Sequence, residues 1–326
     1  MNTASTSGAA GRRRIFGIWL ARICVSAAML ALIFQFVPFG NVWAAARQFS
    51  PMLWLAALAL FLAGHAVAAA KWRMLIGDGI SYRQAFRAHL AGLAANLALP
   101  GVAGGDVVRA GLVMGKAGDK SRLAMGSIAD RLLDTLGLVL IALAGAYFAL
   151  GTKLHQYPES RWIALGAFVL VAAGLFLTPL LDRSLVRAAP RGRIARILAR
   201  LVHAAADLAQ SPGRLLLCLA ISMAVQCLFV GINIAFAQAA HVDAPIAAWF
   251  FAWTTAKIIA IAPVSLGGLG VREASMAGLL LPFGADPGQV VAIGLIWQSV
   301  LYASGAIGFL VQLRRPKQDA FGMEQS

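Results

Sequence analysis

Charge is scarce in this sequence, and negative charge is scarcest of all. Only 13 % of the 326 residues are charged, with 13 Asp and Glu against 28 Lys and Arg. A soluble domain carries about a quarter charged residues, so a fully solvated surface is excluded. Cysteine is nearly absent as well. Cys24, Cys218 and Cys227 all fall inside apolar runs and show no metal spacing, so they read as small buried hydrophobes with no disulfide framework. The sequence contains no HExxH, no DDxxD and no Walker loop. No metal, cofactor or catalytic constellation is therefore expected.

What the sequence does have is hydrocarbon: 60 % hydrophobic residues and a mean hydropathy of +0.77. Several apolar stretches reach about 20 residues, the length needed to cross a bilayer. In hydrocarbon every backbone polar group needs an internal partner, which leaves helices or a closed barrel. The runs are continuous and rich in Leu and Ala, without the alternation of barrel strands. The expected fold class is an all-α polytopic membrane protein.

Residues 1–14 are polar and basic and precede an apolar run over 15–37. Ala44–Ala46 resembles a signal-peptidase site, but the run exceeds the usual core of a signal peptide, about 7–15 residues. It reads as an uncleaved first helix. Further spans are expected near 52–70, 132–151, 161–181, 214–238 and 289–312. Two other apolar regions, near 80–118 and 246–287, are interrupted by Pro and Gly. Each is too broken for one span and short for two.

Lys and Arg concentrate on the cytoplasmic side of membrane proteins. With the N-terminus inside, twenty basic residues fall in inside segments, Lys71 among them, and only Arg47, Lys153 and Arg161 fall outside. That tally holds only if each broken region enters and leaves on one side. Region 80–118 then dips in from the cytoplasm and region 246–287 from outside. The expectation is six transmembrane helices plus two re-entrant hairpins, with both termini cytoplasmic. The chain divides into a cytoplasmic segment 1–14, one membrane domain 15–313 and a cytoplasmic tail 314–326. Because the excess positive charge follows topology, no nucleic-acid partner is expected. The linker 182–213 contains an amphipathic helix near 187–210, suited to anionic headgroups at about 1 kcal/mol per basic residue.

The two broken regions share a motif. LPGVAGGDVVRA, residues 99–110, aligns with PVSLGGLGVREA from Pro263 onward: Pro100 with Pro263, Gly104-Gly105 with Gly267-Gly268, Val108 with Val271 and Arg109 with Arg272. Every match has an offset of 163 residues. The same offset carries the second span onto the fifth and the third onto the sixth. Repeat 1 (about 15–151) and repeat 2 (about 161–313) thus form an inverted-topology pair, an arrangement that places substrates where Gly/Pro-interrupted segments meet.

At each hairpin tip the proline ends one half-helix, and the glycines, including Gly270, permit a tight turn. The returning half-helix presents free N–H groups, an anion site. Arg109 and Arg272 add bidentate donors for phosphate. In the alternative reading, Arg109 neutralises Asp106 and Arg272 neutralises Glu273. Charges at membrane depth mark pathways, which brings Asp106 and Glu273 into the candidate site. Asp130, Arg131 and Asp134 belong to it too, at the start of the third span; they anchor that helix at the interface or bind protons or cations. Lys257 lines the second hairpin or snorkels outward. His65 is expected to be a hydrogen-bonded packing residue, and Asn96, Gln226, Asn233 and Gln298 to bond between helices.

The segments KWRMLIG, NLALPGVAGGDVVRA, SIADRLLDTLGL and APVSLGGLGVREA together resemble the lysylphosphatidylglycerol synthase transmembrane family, also called the flippase-like domain family. The resemblance covers roughly residues 15 to 313. In its best-known members this domain moves an aminoacylated phospholipid that a soluble C-terminal domain makes. Only thirteen residues follow the expected membrane domain 15–313, so the resemblance implies a stand-alone member. Other relatives accompany glycolipid, hopanoid or polyprenyl-lipid pathways, which implies lipid handling without naming the lipid.

The leading expectation is a bacterial inner-membrane lipid translocase. An anionic or zwitterionic headgroup binds between the hairpins while the acyl chains stay in the bilayer. One alternative is an intramembrane lipid-modifying enzyme using Asp106, Asp130 or Glu273 as acid or base. Another is a non-catalytic subunit that positions a lipid-synthesis enzyme.

Overall fold

The computed structural model describes residues 49–77, 79–98, 103–150, 210–260 and 268–313, with isolated positions between 31 and 47 and between 199 and 206. Nearly all of the expected first span, the fourth span, most of the basic linker and both terminal segments lie outside these residues. So do Pro100, Pro263 and Gly267.

The described elements are helical throughout. They are α1 (Pro51–Ile76), α2 (Tyr82–Ala98), α3 (Ala103–Val113), α4 (Lys120–Leu150), α5 (Pro212–Ala239), α6 (Ile246–Ile259), α7 (Val271–Leu280) and α8 (Pro287–Leu313), with a 3₁₀ turn at Leu281–Phe283 between the last two. Four of them, α1, α4, α5 and α8, are long and apolar enough to cross a membrane. At about 1.5 Å per residue, the 26 residues of α1 reach about 39 Å, whereas the 14 of α6 reach about 21 Å. Each interrupted region forms two short helices in place of one long one.

Local chemistry sets the boundaries. Ser50 accepts the Leu53 N–H at 3.1 Å and Pro51 opens α1. Ser81 and Gln84 cap α2 reciprocally, each side chain taking the other's backbone N–H. Asp119 accepts the Ser121 N–H at 2.7 Å to start α4, and Asp286 does the same for α8 through Gln289. Gly270, at φ 84°, turns the chain into α7.

The third span starts earlier than its hydropathy suggests. Helix α4 begins at Lys120, so Asp130, Arg131 and Asp134 lie ten to fourteen residues inside it, about 15 Å or more from its first turn. The second span also runs further, to Ile76. Lys71, counted as a loop cation from the sequence, is buried on α1 at 1 % exposure. Both corrections have one cause: paired charges inside a helix lower hydropathy without ending it.

The packing crosses between the halves of the chain. The most extensive contacts are α6 against α4 and α2 against α8. The first helix of each interrupted region therefore lies on the last helix of the other half. Helices α1 and α5 pack on one another and on α4. Between them sits an apolar core built around Phe61, Phe229, Phe236, Trp249, Trp253 and Trp297. Its rings meet edge to face, Phe61 with Trp297 at 5.3 Å and Trp253 with Trp297 at 6.0 Å.

Candidate functional site

Charged residues inside these helices gather into one large network and one small one. The large network begins at Lys71. Its ammonium contacts Asp130 Oδ1 at 2.9 Å, pairs with Asp134, and donates to Ser222 Oγ at 2.8 Å. Ser222 in turn donates to Asp134 Oδ1 at 2.7 Å. From α3, Arg109 donates to Asp130 Oδ2 at 2.9 Å, and Asp106 lies 3.3 Å from the same guanidinium nitrogen. Arg131 pairs with Asp106 from α4. Three cations thus face three carboxylates, and helices α1, α3, α4 and α5 are tied together. A charge left unpaired at this depth costs several kcal/mol, so the balance is what lets these residues be buried. Arg131 is the accessible member, its side chain 45 % exposed.

The network continues through two imidazoles. Arg109 Nη1 lies 3.1 Å from His89 Nδ1, and His89 Nε2 lies 2.8 Å from His65 Nδ1. Arginine is only a donor. His89 Nδ1 must therefore accept, its proton sits on Nε2, and it donates to His65, which carries its own proton on Nε2. The expected packing role of His65 is consistent with this: its ring lies against Phe61 and Phe229, with centroids 4.4 and 5.4 Å apart. The guanidinium of Arg109 also sits 4.4 Å over the Trp72 ring, an interaction of about 2 kcal/mol when desolvated.

The small network lies at the start of α7. Arg272 pairs with Glu273 and donates to Gly294 O at 3.2 Å and Gln298 Oε1 at 3.0 Å, both on α8. Glu273, fully buried, accepts the Gly270 N–H at 2.7 Å. One N–H at this helix start, that of Gly270, is thus served by the helix's own carboxylate. In the first hairpin the Gly105 N–H donates to Asn96 Oδ1 at 3.0 Å. A Cβ at Gly105 would lie 2.5 Å from both that oxygen and Gly92 O, so α2 and α3 meet this closely only because residue 105 is glycine.

Of the candidate residues, Asp106, Arg109, Asp130, Arg131 and Asp134 share one network, and Arg272 and Glu273 form another. Among the described residues no hydrogen bond or ion pair joins Arg109 to Arg272. Both arginines are buried against carboxylates, as in the alternative reading of the sequence, although the closest partner of Arg109 is Asp130. Lys257 stands apart. It donates to Gln226 Oε1 at 2.8 Å and lies over the rings of Trp253 and Phe229 at 4.9 and 5.5 Å. Asn233 bonds to Phe229 O on its own helix, whereas Asn96, Gln226 and Gln298 bridge helices as expected. Lys71, Ser222 and His89 were not singled out in the sequence. The one signal for Lys71 was a lysine next to tryptophan directly after a long apolar run.

No group of three His, Cys, Asp or Glu side chains among the described residues is arranged to hold a metal. A family model, the lysylphosphatidylglycerol synthase TM region, matches residues 19–308. In a comparison with curated proteins, none matches the chain.

Proposed function

The chain belongs to the lysylphosphatidylglycerol synthase transmembrane family, and from that premise we propose that it is a lipid translocase of a bacterial inner membrane. It is a multi-pass membrane protein of a lipid-related family; the translocase reading adds what it does with a lipid. In this reading a phospholipid or lipid-linked headgroup crosses along the polar interior, and its acyl chains stay in the bilayer. One observation carries it. A continuous string of polar groups, Lys71–Asp130–Arg109–His89–His65, runs from α1 through the first hairpin to the aromatic core beside Lys257.

The apolar residues left exposed fit the same reading. Leu55, Leu60 and Val67 on α1, Leu216 and Leu217 on α5, and Phe309, Leu310 and Leu313 on α8 face outward. A polar interior inside an apolar rim suits a molecule with a polar head and apolar tails. The cross-packed interrupted helices support a two-fold repeat, and the distribution of basic residues favours its inverted form, six spans and two re-entrant hairpins with both termini cytoplasmic. We assign no catalytic role to the carboxylates. Asp106, Asp130 and Glu273 are each engaged by a guanidinium, so their oxygens are occupied in structural ion pairs.

Reconstituted into liposomes, the full chain should move a labelled phospholipid between leaflets faster than protein-free vesicles do. The readout is the fraction of label reached by an impermeant quencher over time. Rates equal to empty vesicles, across a panel that includes native lipid extract, would overturn the reading.

A further inference from the structure

The interior charges nearly cancel. Lys71, Arg109 and Arg131 face Asp106, Asp130 and Asp134, and Arg272 faces Glu273. Lys257, on the apolar helix α6, is a half-buried cation with no carboxylate within ion-pair distance among the described residues. Its contacts are one amide oxygen and two ring faces. An unmatched cation among apolar side chains is costly, and a single anion at this point would cancel it.

Three further features point to an oxyanion there. Lys257 is half-buried, whereas Arg109 and Arg272 are 4 % and 5 % exposed. It is the cation of the second hairpin that a ligand reaches without first breaking an ion pair. Trp253, whose ring lies against the ammonium, is 1 % exposed, and its indole N–H has no hydrogen-bond partner among the described residues. A buried donor without an acceptor costs about 1–3 kcal/mol, and this one belongs to the ring that the ammonium faces. Finally, Lys257 is the third residue from the end of α6, close to the tip of the interrupted segment.

We propose that Lys257 and Trp253 form the phosphate-binding site of this protein, taking the phosphodiester of a lipid headgroup as charge partner and acceptor. Gln226 orients the ammonium, and Phe229 and Trp253 wall the site. The buried arginines hold the two hairpins in shape and leave the headgroup to Lys257. The assignment rests on the translocase reading for the lipid, but not for the anion.

The test uses the full chain in neutral detergent, with dihexanoyl phosphatidylglycerol, dihexanoylglycerol and inorganic phosphate as probes. Thermal stabilisation should appear with the phosphatidyl lipid and be absent with dihexanoylglycerol. Lys257→Gln should weaken that binding about tenfold to a hundredfold, the loss of one charge-assisted hydrogen bond. Lys257→Arg should retain most of it, and Trp253→Phe, which keeps the ring and removes the N–H, should fall between. Phosphatidylglycerol binding that is unchanged in a folded Lys257→Gln protein overturns the site, as does failure of Lys257→Arg to bind. Stabilisation by inorganic phosphate at equal concentration overturns the lipid as its source. Lipid movement separates this proposal from the broader one. If wild type and Lys257→Gln move lipid at the same rate, Lys257 fails and the translocase stands. If Lys257 binds the lipid while no lipid moves, the site stands and the translocase fails.

Discussion

At the scale of single residues, Lys71 matters most to the integrity of the interior. Its ammonium joins Asp130 and Asp134, residues four apart on one face of α4, to Ser222 on α5. Lys71→Met would keep the apolar stem and remove the charge, leaving two carboxylates with fewer partners. Breaking one side of a buried ion pair costs about 3–5 kcal/mol. The unfolding free energy in mixed micelles should fall by about that much. Adding Asp134→Asn should recover part of it, because one stranded charge is then removed. Simple addition of the two losses would show that Lys71 and Asp134 are not coupled. The sequence made the acidic pair visible through its i, i+4 spacing but hid Lys71. Hydropathy ends a helix where charges begin, and only the partner 59 to 63 residues away shows that the helix continues. Pairing is a tertiary fact, and no local window contains it.

At the scale of elements, the hairpins were legible because Pro and Gly interrupt apolar runs in a recognisable pattern. The same 163-residue offset relates α1 to α5, α2 to α6, α3 to α7 and α4 to α8, within a few residues at each boundary. Less visible was which helices the hairpins pack against. Gly145 on α4 and Gly308 on α8 share that offset, and both mark close approaches. A Cβ at Gly145 would lie 2.5 Å from Phe251 N on α6, and one at Gly308 would collide with Leu90 O on α2. Backbone atoms cannot step aside as a flexible side chain can. Gly145→Val and Gly308→Val should therefore each separate a hairpin from the opposite half, seen as lost monodisperse protein in size-exclusion chromatography. Gly111→Val, with nothing within 4 Å of the added atom, should stay folded apart from its small helix-propensity change. If all three behave alike, close packing at 145 and 308 is not what joins the halves. A glycine pair at a fixed offset can be found in the sequence; that each meets the other half can be read only from the fold.

For the whole molecule, the remaining question is direction. Two halves with the same helix pattern can be related by an axis in the membrane plane or by one along its normal. The packing α6–α4 and α2–α8 is compatible with either, since exchanging the halves maps one pair onto the other. We propose the first, on the charge pattern. Lys116, Lys120 and Arg122, after the first hairpin, are basic, whereas the segment 240–245, before the second, carries Asp243 and no Lys or Arg. In this proposal the positive-inside rule puts the first segment in the cytoplasm and the second outside, and the hairpins enter from opposite sides. Lys116 and Asp243 are both exposed, so each can be replaced without disturbing the core. In a variant whose three native cysteines are removed, Asp243→Cys should react in intact cells with a thiol reagent that cannot cross the inner membrane. Lys116→Cys should react only after the membrane is opened. Equal labelling from one side would place both hairpins on that side, and the inverted arrangement would then have to be abandoned. The parallel alternative would leave basic segments on the outer face, against the rule that orients the rest of the chain.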